Sequence, residues 1–408
     1  MPSGSPERRQ RLLVLNQYYW PGPESTAQLL TDLCEALAEE LDVRVVTGVV
    51  RGRDDLPRTE RRNGVEVVRV ASTAFDRARL GLRGLNYLTY LASAALAGLR
   101  SPRPDAVLCM SDPPMVGDAG LLLARRFRAP LVVVSEDVFP EIAIALGRLD
   151  NPVLVGVLRR LIRFYLRRAD RVVAIGETMR RRLEAKGTPP ERIDVIPNWV
   201  DTNEILPSDS SSWVEEHGLA GRFLVMHSGN VGYAQDLPTL VDAAALLRDL
   251  EDLRVAIVGG GARRAALEAQ ASALGLASVR FLDYQPRERL SETLSAGHVH
   301  VVGLGAGLAG YVVPSRVYGV LAAGRPVIVA ADEESETVAL VREAGCGWTI
   351  PPGDPGALAA AIRDAHARRG ELDALGARGR EHVVAHYDRE RALARYRELL
   401  RSVLAAGT

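Results

Sequence analysis

Val299–Ala331 reads VHVVGLGAGLAGYVVPSRVYGVLAAGRPVIVAA, and the order of its residue types decides the fold. A β-branched apolar run opens it, and five glycines follow between Gly303 and Gly319. Pro314-Ser315-Arg316 leads into an amphipathic segment over Val317–Ala323, and Gly324-Arg325-Pro326 leads into a second apolar run. This pattern is a strand, a glycine-rich loop, a helix and another strand. Glycine lets backbone come close to a bulky ligand, and Pro-Ser is a favourable helix start. The first turn of such a helix offers free N–H groups and the positive end of a dipole, which suits a phosphate. Arg316 adds a planar charged fork on the same turn. A flexible surface loop is the plain alternative. Against it, the glycines fall at a strand end and before a helix, where doubly wound domains hold anions. The stretch is expected to be a diphosphate-sugar site.

The chain around it has 408 residues, too many for one ordinary core, and two domains are expected. It is 47% hydrophobic and 25% charged, with 51 basic and 51 acidic residues. That balance gives no reason to expect nucleic acid, which selects clustered positive charge. Lys186 is the only lysine, so a phosphate contact has to use arginine or backbone N–H. Three scattered cysteines, Cys34, Cys109 and Cys346, lack metal spacing and read as reduced, partly buried thiols in a reducing compartment. Met1–Arg11 is polar and no secretory leader is expected. The longest apolar segment, Tyr87–Leu99, is well short of the roughly 20 residues of a membrane span.

Strand and helix alternate through the first half. Strands are expected at Leu12–Asn16, Val43–Thr47, Val65–Val70, Asp105–Met110, Leu131–Val134, Arg171–Ala174 and Ile193–Ile196. Helical stretches such as Thr26–Glu40, Val116–Phe127, Pro152–Arg168 and Thr178–Lys186 lie between them. Continuous apolar strands separated by helices mean a parallel sheet covered on both faces. Pro207–Ser212 is a polar break and the expected linker, and the alternation restarts after it. Strands are expected at Leu224–His227, Leu253–Val258, Val279–Phe281, Val299–Val302 and Pro326–Val329. Helices are expected at Leu237–Leu247, Arg263–Leu274, Arg287–Ser295, Arg316–Ala323, Ser335–Ala344 and Pro355–Ala367. Each half reads as its own doubly wound domain, with ligands favoured at the carboxyl ends of the strands. The expected division is 1–206, 207–385 and a terminal helix over 386–408, which is long enough to pack back on the first domain.

Other constellations fall at strand ends. His227-Ser-Gly-Asn-Val-Gly-Tyr233 follows the first strand of the second domain and reads as a second backbone wall for the same ligand, or as an ordinary turn. Val258-Gly-Gly-Gly261 lacks the full dinucleotide fingerprint and is read as a turn. Tyr19–Ser25, with Gly22, follows the first strand and reads as a loop facing the cleft between the domains, or as a rigid turn. Ser135-Glu-Asp-Val-Phe-Pro-Glu141 sets Glu136, Asp137 and Glu141 just past an apolar strand, where one carboxylate can orient or deprotonate a sugar hydroxyl; solvated loop acids are the plain alternative. All seven histidines lie at or after His217, no pair has metal spacing, and no Asp-x-Asp occurs, so no tightly held divalent metal is expected. Arg159–Arg168 interleaves cations with apolar residues; most such stretches are solvated faces, and a minority lie on anionic membranes.

Taken together, these pieces resemble the family 4 glycosyltransferases of the GT-B class. Within that family they are similar to the subgroup that transfers fucosamine- or fucose-type sugars in bacterial surface polysaccharide assembly. Asn16-Gln-Tyr-Tyr-Trp-Pro21 with Ser25–Leu30 is similar to the family's first loop and helix. Glu136–Glu141 resembles the subgroup's acidic-aromatic-proline motif, Val195–Asp201 the element ending the first domain, and Pro314–Pro326 its Pro-Ser-Lys segment. The resemblance implies two Rossmann-type domains facing across a cleft. It further implies retaining transfer from a UDP- or GDP-sugar to a glycan or lipid-linked acceptor, with no cofactor and no essential metal. The implied location is cytoplasmic or peripheral at the membrane's inner face. Gly229, Asn230, Gly310, Tyr311, Ser315 and Arg316 would hold diphosphate and sugar, with Gly22 also on the donor side. Backbone near Tyr284 would face the base, and Asp137 with Glu136 or Glu141 would be catalytic. The chain departs from the family where many members carry Arg and Lys, here Asn230 and Gln235. It departs again where many carry two Glu, here Tyr311 and Gly319. A nucleotide-sugar 2-epimerase on a similar frame and a non-catalytic sugar-nucleotide binding protein are the alternatives.

Overall fold

The computed structural model describes residues 8–406 apart from 23, 51, 54 and 74–79. Most of the polar stretch Met1–Arg11, and Pro23 of the first loop, lie outside the described residues. The chain forms two compact units, one of Met1–Ile196 with Leu393–Thr408 and one of Pro197–Ala392.

The first unit holds β1 (Arg11–Leu15), β2 (Asp42–Gly48), β3 (Thr59–Arg62), β4 (Val65–Val70), β5 (Ala106–Met110), β6 (Leu131–Ser135), β7 (Arg171–Ala174) and β8 (Ile193–Val195). Its helices are α1 (Ser25–Leu37), α2 (Leu80–Leu99), α3 (Val116–Phe127), α4 (Glu141–Ala145), α5 (Pro152–Leu166) and α6 (Glu177–Ala185). The strands lie in the order β3-β4-β2-β1-β5-β6-β7-β8. All neighbours are parallel except β3 with β4. Every residue of β5 and β6 is buried, as a strand covered on both faces requires.

The second unit holds α7 (Ser211–Glu216), β9 (Phe223–Ser228), α8 (Leu237–Ala245), β10 (Leu253–Val258), α9 (Arg264–Ala273), β11 (Val279–Leu282), α10 (Leu290–Ala296) and β12 (Val299–Gly303). It continues with α11 (Arg316–Ala322), β13 (Val327–Ala330), α12 (Glu336–Ala344), β14 (Gly347–Ile350), α13 (Pro355–Ala367) and α14 (Leu372–His386). Its sheet, β11-β10-β9-β12-β13-β14, is parallel throughout. One face packs on α8, α9 and α13 through Leu240, Leu267 and Ile362, and the other carries Trp213 against Leu224 and Met226. The two doubly wound α/β units expected from the alternation are both present.

Several details differ from expectation. Pro207–Ser212 is packed rather than a free linker: Ser208 N donates to Ser295 Oγ at 3.0 Å, and α7 buries Trp213 completely. The division falls earlier, at Ile196/Pro197, because the segment after it is tied within the second unit. Val200 N donates to Tyr387 O at 3.1 Å, and Arg389 N donates to Val200 O at 3.0 Å. The last helix, α15 (Arg389–Ala406), has its later turns in the first unit, where Arg397 donates to the Ala36 carbonyl and pairs with Glu39 of α1's end. Strands β3 and β14 and helices α4 and α7 come in addition to the expected elements. Among the described residues no helix is long and apolar enough to cross a membrane.

Candidate functional site

In an open α/β sheet the loops on either side of the strand-order reversal splay apart and leave a crevice at the carboxyl ends. The second unit reverses between β9 and β12: from β9 the chain winds to β10 and β11 on one side, then returns to β12 on the other. The loops leaving these two strands are His227–Tyr233 and the glycine-rich run to Arg316 found in the sequence. Arg316 opens α11, and its Nη1 lies 2.6 Å from His227 Nε2. A guanidinium only donates, so the imidazole is the acceptor in this contact, and Nη1 also lies 3.3 Å from Nδ1, which sets the fork against the ring. His227 is fully buried, and burial first, then the Arg316 charge, push its imidazole well below its usual range. It is a neutral prop for a cation. Burial pushes Arg316 itself down to about 10, so it stays charged at neutral pH. Among the described residues it forms no ion pair. A charge partly withdrawn from water without a counter-ion is a place prepared for an anion.

The backbone around this fork is shaped by glycine. Gly229, at φ +129°, stands where a Cβ would lie 3.6 Å from the Arg316 guanidinium. Gly259, at φ +138°, packs so closely that a Cβ there would run into the Gly229 carbonyl oxygen. Val231 N donates to Gly260 O at 2.8 Å, which clamps the β9 and β10 loops together. Asn230 is exposed, and Gln235 is occupied inside the loop, its Oε1 accepting from Gly232 N at 3.0 Å. Tyr284, 60% exposed beyond β11, reaches back to the Gly260 carbonyl with its hydroxyl at 3.2 Å. Gly310, at φ +75°, is at the tip of a turn that Tyr311 N closes by donating to Leu308 O at 3.0 Å. Ser315 precedes α11 and makes no side-chain capping bond to it. The helix start expected at Pro314-Ser315 is present, but capping is not the role of that hydroxyl.

The first unit reverses between β1 and β5, and there its carboxylates gather. Asn16, fully buried past β1, accepts on Oδ1 from Asp112 N at 3.2 Å, and Gln17 N donates to Asp112 O at 2.8 Å. Thr26 at the start of α1 donates to Asp112 Oδ2 at 3.2 Å. From β6, Glu136 is held by Ser111 Oγ on its backbone N–H at 3.0 Å, and Asp137 follows. Burial, then Asp112 and Glu136, push the Asp137 carboxyl up to about 8. Asp137 is therefore protonated at neutral pH. Glu141 is different in kind. Burial opposes its ionisation, yet the Lys186 ammonium and Arg159 beside it hold its carboxyl below the usual range. Glu141 ties α4 to α5 and to the end of α6. Gly22 closes a turn by donating to Tyr19 O at 2.8 Å, and a Cβ on it would crowd that same oxygen.

Two residues of these sites have no role assigned to them by sequence alone. His227 is near the end of β9 and opens a stretch that reads as a backbone wall, and its separation from Arg316 by 89 residues hides the contact. Asp112 carries the same signal as Asp137, an acid just past an apolar strand, followed by a proline pair.

Comparison with known proteins gives the same answer for both units. Residues 26–199 match the glycosyl transferase 4-like domain, and residues 209–382 match glycosyl transferases group 1. The chain is 28% identical over 335 residues to the probable glycosyltransferase WbjE of Pseudomonas aeruginosa, covering 81% of this chain and 83% of that one. It is 28% identical over 296 residues to the putative colanic acid biosynthesis glycosyl transferase WcaI of Escherichia coli K12, covering 69% and 72%. In fold it is similar to sucrose-phosphate synthase of Thermosynechococcus elongatus, with a TM-score of 0.82 at 20% identity over 98% of this chain and 100% of that one. It is similar also to Anabaena HepE in complex with UDP and glucose, with a TM-score of 0.78 at 18% identity over 97% and 100%. With one domain of each kind matched in order along the sequence, the chain belongs to the family 4 glycosyltransferases of the GT-B class.

Proposed function

We propose that this glycosyltransferase moves a sugar, with retention, from a nucleoside-diphosphate sugar to a glycan acceptor carried on a lipid, in the building of a cell-surface polysaccharide. One observation carries the donor assignment: a charged Arg316 without an acidic partner, propped by neutral His227 at the strand-order reversal of the second unit. HepE is described with UDP and glucose, which supports a UDP-sugar donor here, with a GDP-sugar as the other candidate. WcaI is named for colanic acid biosynthesis, which supports the polysaccharide setting.

In the reaction the bond from the anomeric carbon to the diphosphate oxygen breaks, and a bond to the acceptor oxygen forms on the same face. The acceptor proton leaves with the diphosphate. Negative charge grows on the leaving diphosphate, and a pre-placed cation stabilises it without reorganisation. Arg316 and the Ser315 hydroxyl serve that oxygen cluster, and Gly229 lets the diphosphate approach the backbone. Asp137, protonated at neutral pH, donates to a sugar hydroxyl, with Asp112 and Glu136 keeping its proton in place. Glu141 holds its loop rather than the sugar. Tyr284 borders the base. The reading needs no metal, and it places the enzyme at the cytoplasmic face of an anionic membrane.

Incubation with UDP-, GDP- and TDP-sugars tests this. Acceptor-dependent release of nucleoside diphosphate, or slow hydrolysis of the donor without acceptor, supports transfer. An epimerised donor, or binding with no turnover in any combination, overturns it.

A further inference from the structure

Helix α5 sets arginines beside an exposed apolar row, a pairing that the exposed leucines Leu85, Leu88, Leu96 and Leu99 of α2 lack over residues 84–99. Asn151 caps it, its side chain accepting from Val153 N and Leu154 N at 3.0 and 3.1 Å, with Pro152 in the first turn. Only Ile162, Tyr165 and Leu166 of this helix are buried. Val153, Leu154, Val157, Leu161 and Phe164 are instead between 36% and 74% exposed. At 100° per residue these five fall within about 100° of arc, beside the buried face. Arg160, Arg163 and Arg167 occupy a further arc of about 60° on the flank of that row. Arg168 stacks its guanidinium 3.9 Å from the centre of the Phe164 ring, inside the apolar row. Neighbouring α3, packed on α5 through Gly117 against the Tyr165 ring, adds exposed Leu122, Arg125 and Arg126.

Residues 152–168 contain no Asp or Glu, although the whole chain is neutral. Among the described residues these arginines, apart from Arg159, form no ion pair. A row of bulky apolar side chains beside unpaired cations matches a layer that is negative at its surface and apolar just beneath it. Another protein's surface would have to offer carboxylates without burying them unpaired.

We infer that α5, with the end of α3, is the surface by which this enzyme lies on an anionic lipid bilayer, sinking Val153, Leu154, Val157, Leu161 and Phe164 below the headgroups. The inference rests on the functional reading above only in giving its membrane contact a place. Vesicle binding is measured without donor or acceptor, so its failure leaves the transfer reaction untouched.

Co-sedimentation of the full chain with phosphatidylcholine vesicles, and with vesicles containing about 30% phosphatidylglycerol, tests it. The expected result is binding to the anionic vesicles only, weakened by 0.5 M salt. Removal of each cation should cost roughly fivefold in partitioning, so Arg160→Glu with Arg167→Glu weakens binding by more than 20-fold. Val157→Ser with Phe164→Ser should lose binding while nucleoside diphosphate affinity is retained. Equal binding to both vesicles, no binding to either, or a dimer in light scattering that the serine variant dissociates would each overturn the inference.

Discussion

Burial moves Asp137 and Arg316 in the same physical direction, toward the neutral form, with opposite outcomes. Asp137 crosses neutral pH and keeps its proton, whereas Arg316 starts so high that it stays charged. The Asp137 shift has a signed consequence for stability. A carboxyl held at about 8 in the folded chain and near 4 when unfolded binds more protons folded, so stability falls as pH rises through that window. Asp137→Asn should therefore match the parent at pH 4 and exceed it at pH 8.5 by about 1–3 kcal/mol, read from melting curves, the full shift being discounted for solvent reaching a half-buried group. The same variant should lower kcat and leave nucleoside diphosphate affinity near wild type. His227 acts through Arg316, so His227→Phe should weaken diphosphate binding about 3- to 10-fold, roughly the net worth of one hydrogen bond. In the Arg316→Ala background it should add almost nothing, and His227→Gln, which keeps an acceptor, should recover part of the loss.

Glycines at the strand ends carry different loads, and two substitutions separate them. Gly259→Ala forces a side chain into the Gly229 carbonyl at a left-handed φ, and should cost more than about 3 kcal/mol in denaturant titration. A Cβ added to Gly319, inside α11, would meet only Leu294 Cδ1, at an ordinary contact distance of 3.5 Å. Gly319→Ala should therefore stabilise by about 0.5–1 kcal/mol. Elements with a continuous apolar run were legible in the sequence: β5, β6 and β12 begin and end within a residue or so of their expected bounds. What escaped has a physical reason. Strand β3 is Thr-Glu-Arg-Arg on a half-exposed edge and has no apolar signal. Its one cue is Asn63-Gly64, both at positive φ, a two-residue hairpin turn onto β4. Strand β14 is partly buried at every position, so it shows neither alternation nor a core run. Helix α7 begins in a serine run that reads as a break until Trp213 is seen to be buried. The glycine-rich loop and Arg316 were legible because a strand and a helix flank them locally. The His227 contact was not, because it depends on β9 lying beside β12.

At the scale of the whole chain, neutrality conceals segregation: among the described residues, cations without acidic partners gather on α5 and at Arg316, and carboxylates gather past β5 and β6. Both sites sit where their own sheet reverses strand order, so each unit uses the same architectural opening for a different charge. Donor turnover should persist in excess EDTA, since the diphosphate charge is met by arginine in this account; loss of turnover, restored by a divalent cation, would assign that charge to a metal instead. The most direct measurement is calorimetric titration of UDP and of GDP into the wild-type chain and into Arg316→Ala. One nucleotide is expected to bind wild type, and Arg316→Ala to weaken it by about 1.5–3 kcal/mol, the range of a hydrogen bond to a charged group, without lowering the melting temperature. Equal affinity in the two proteins would contradict it.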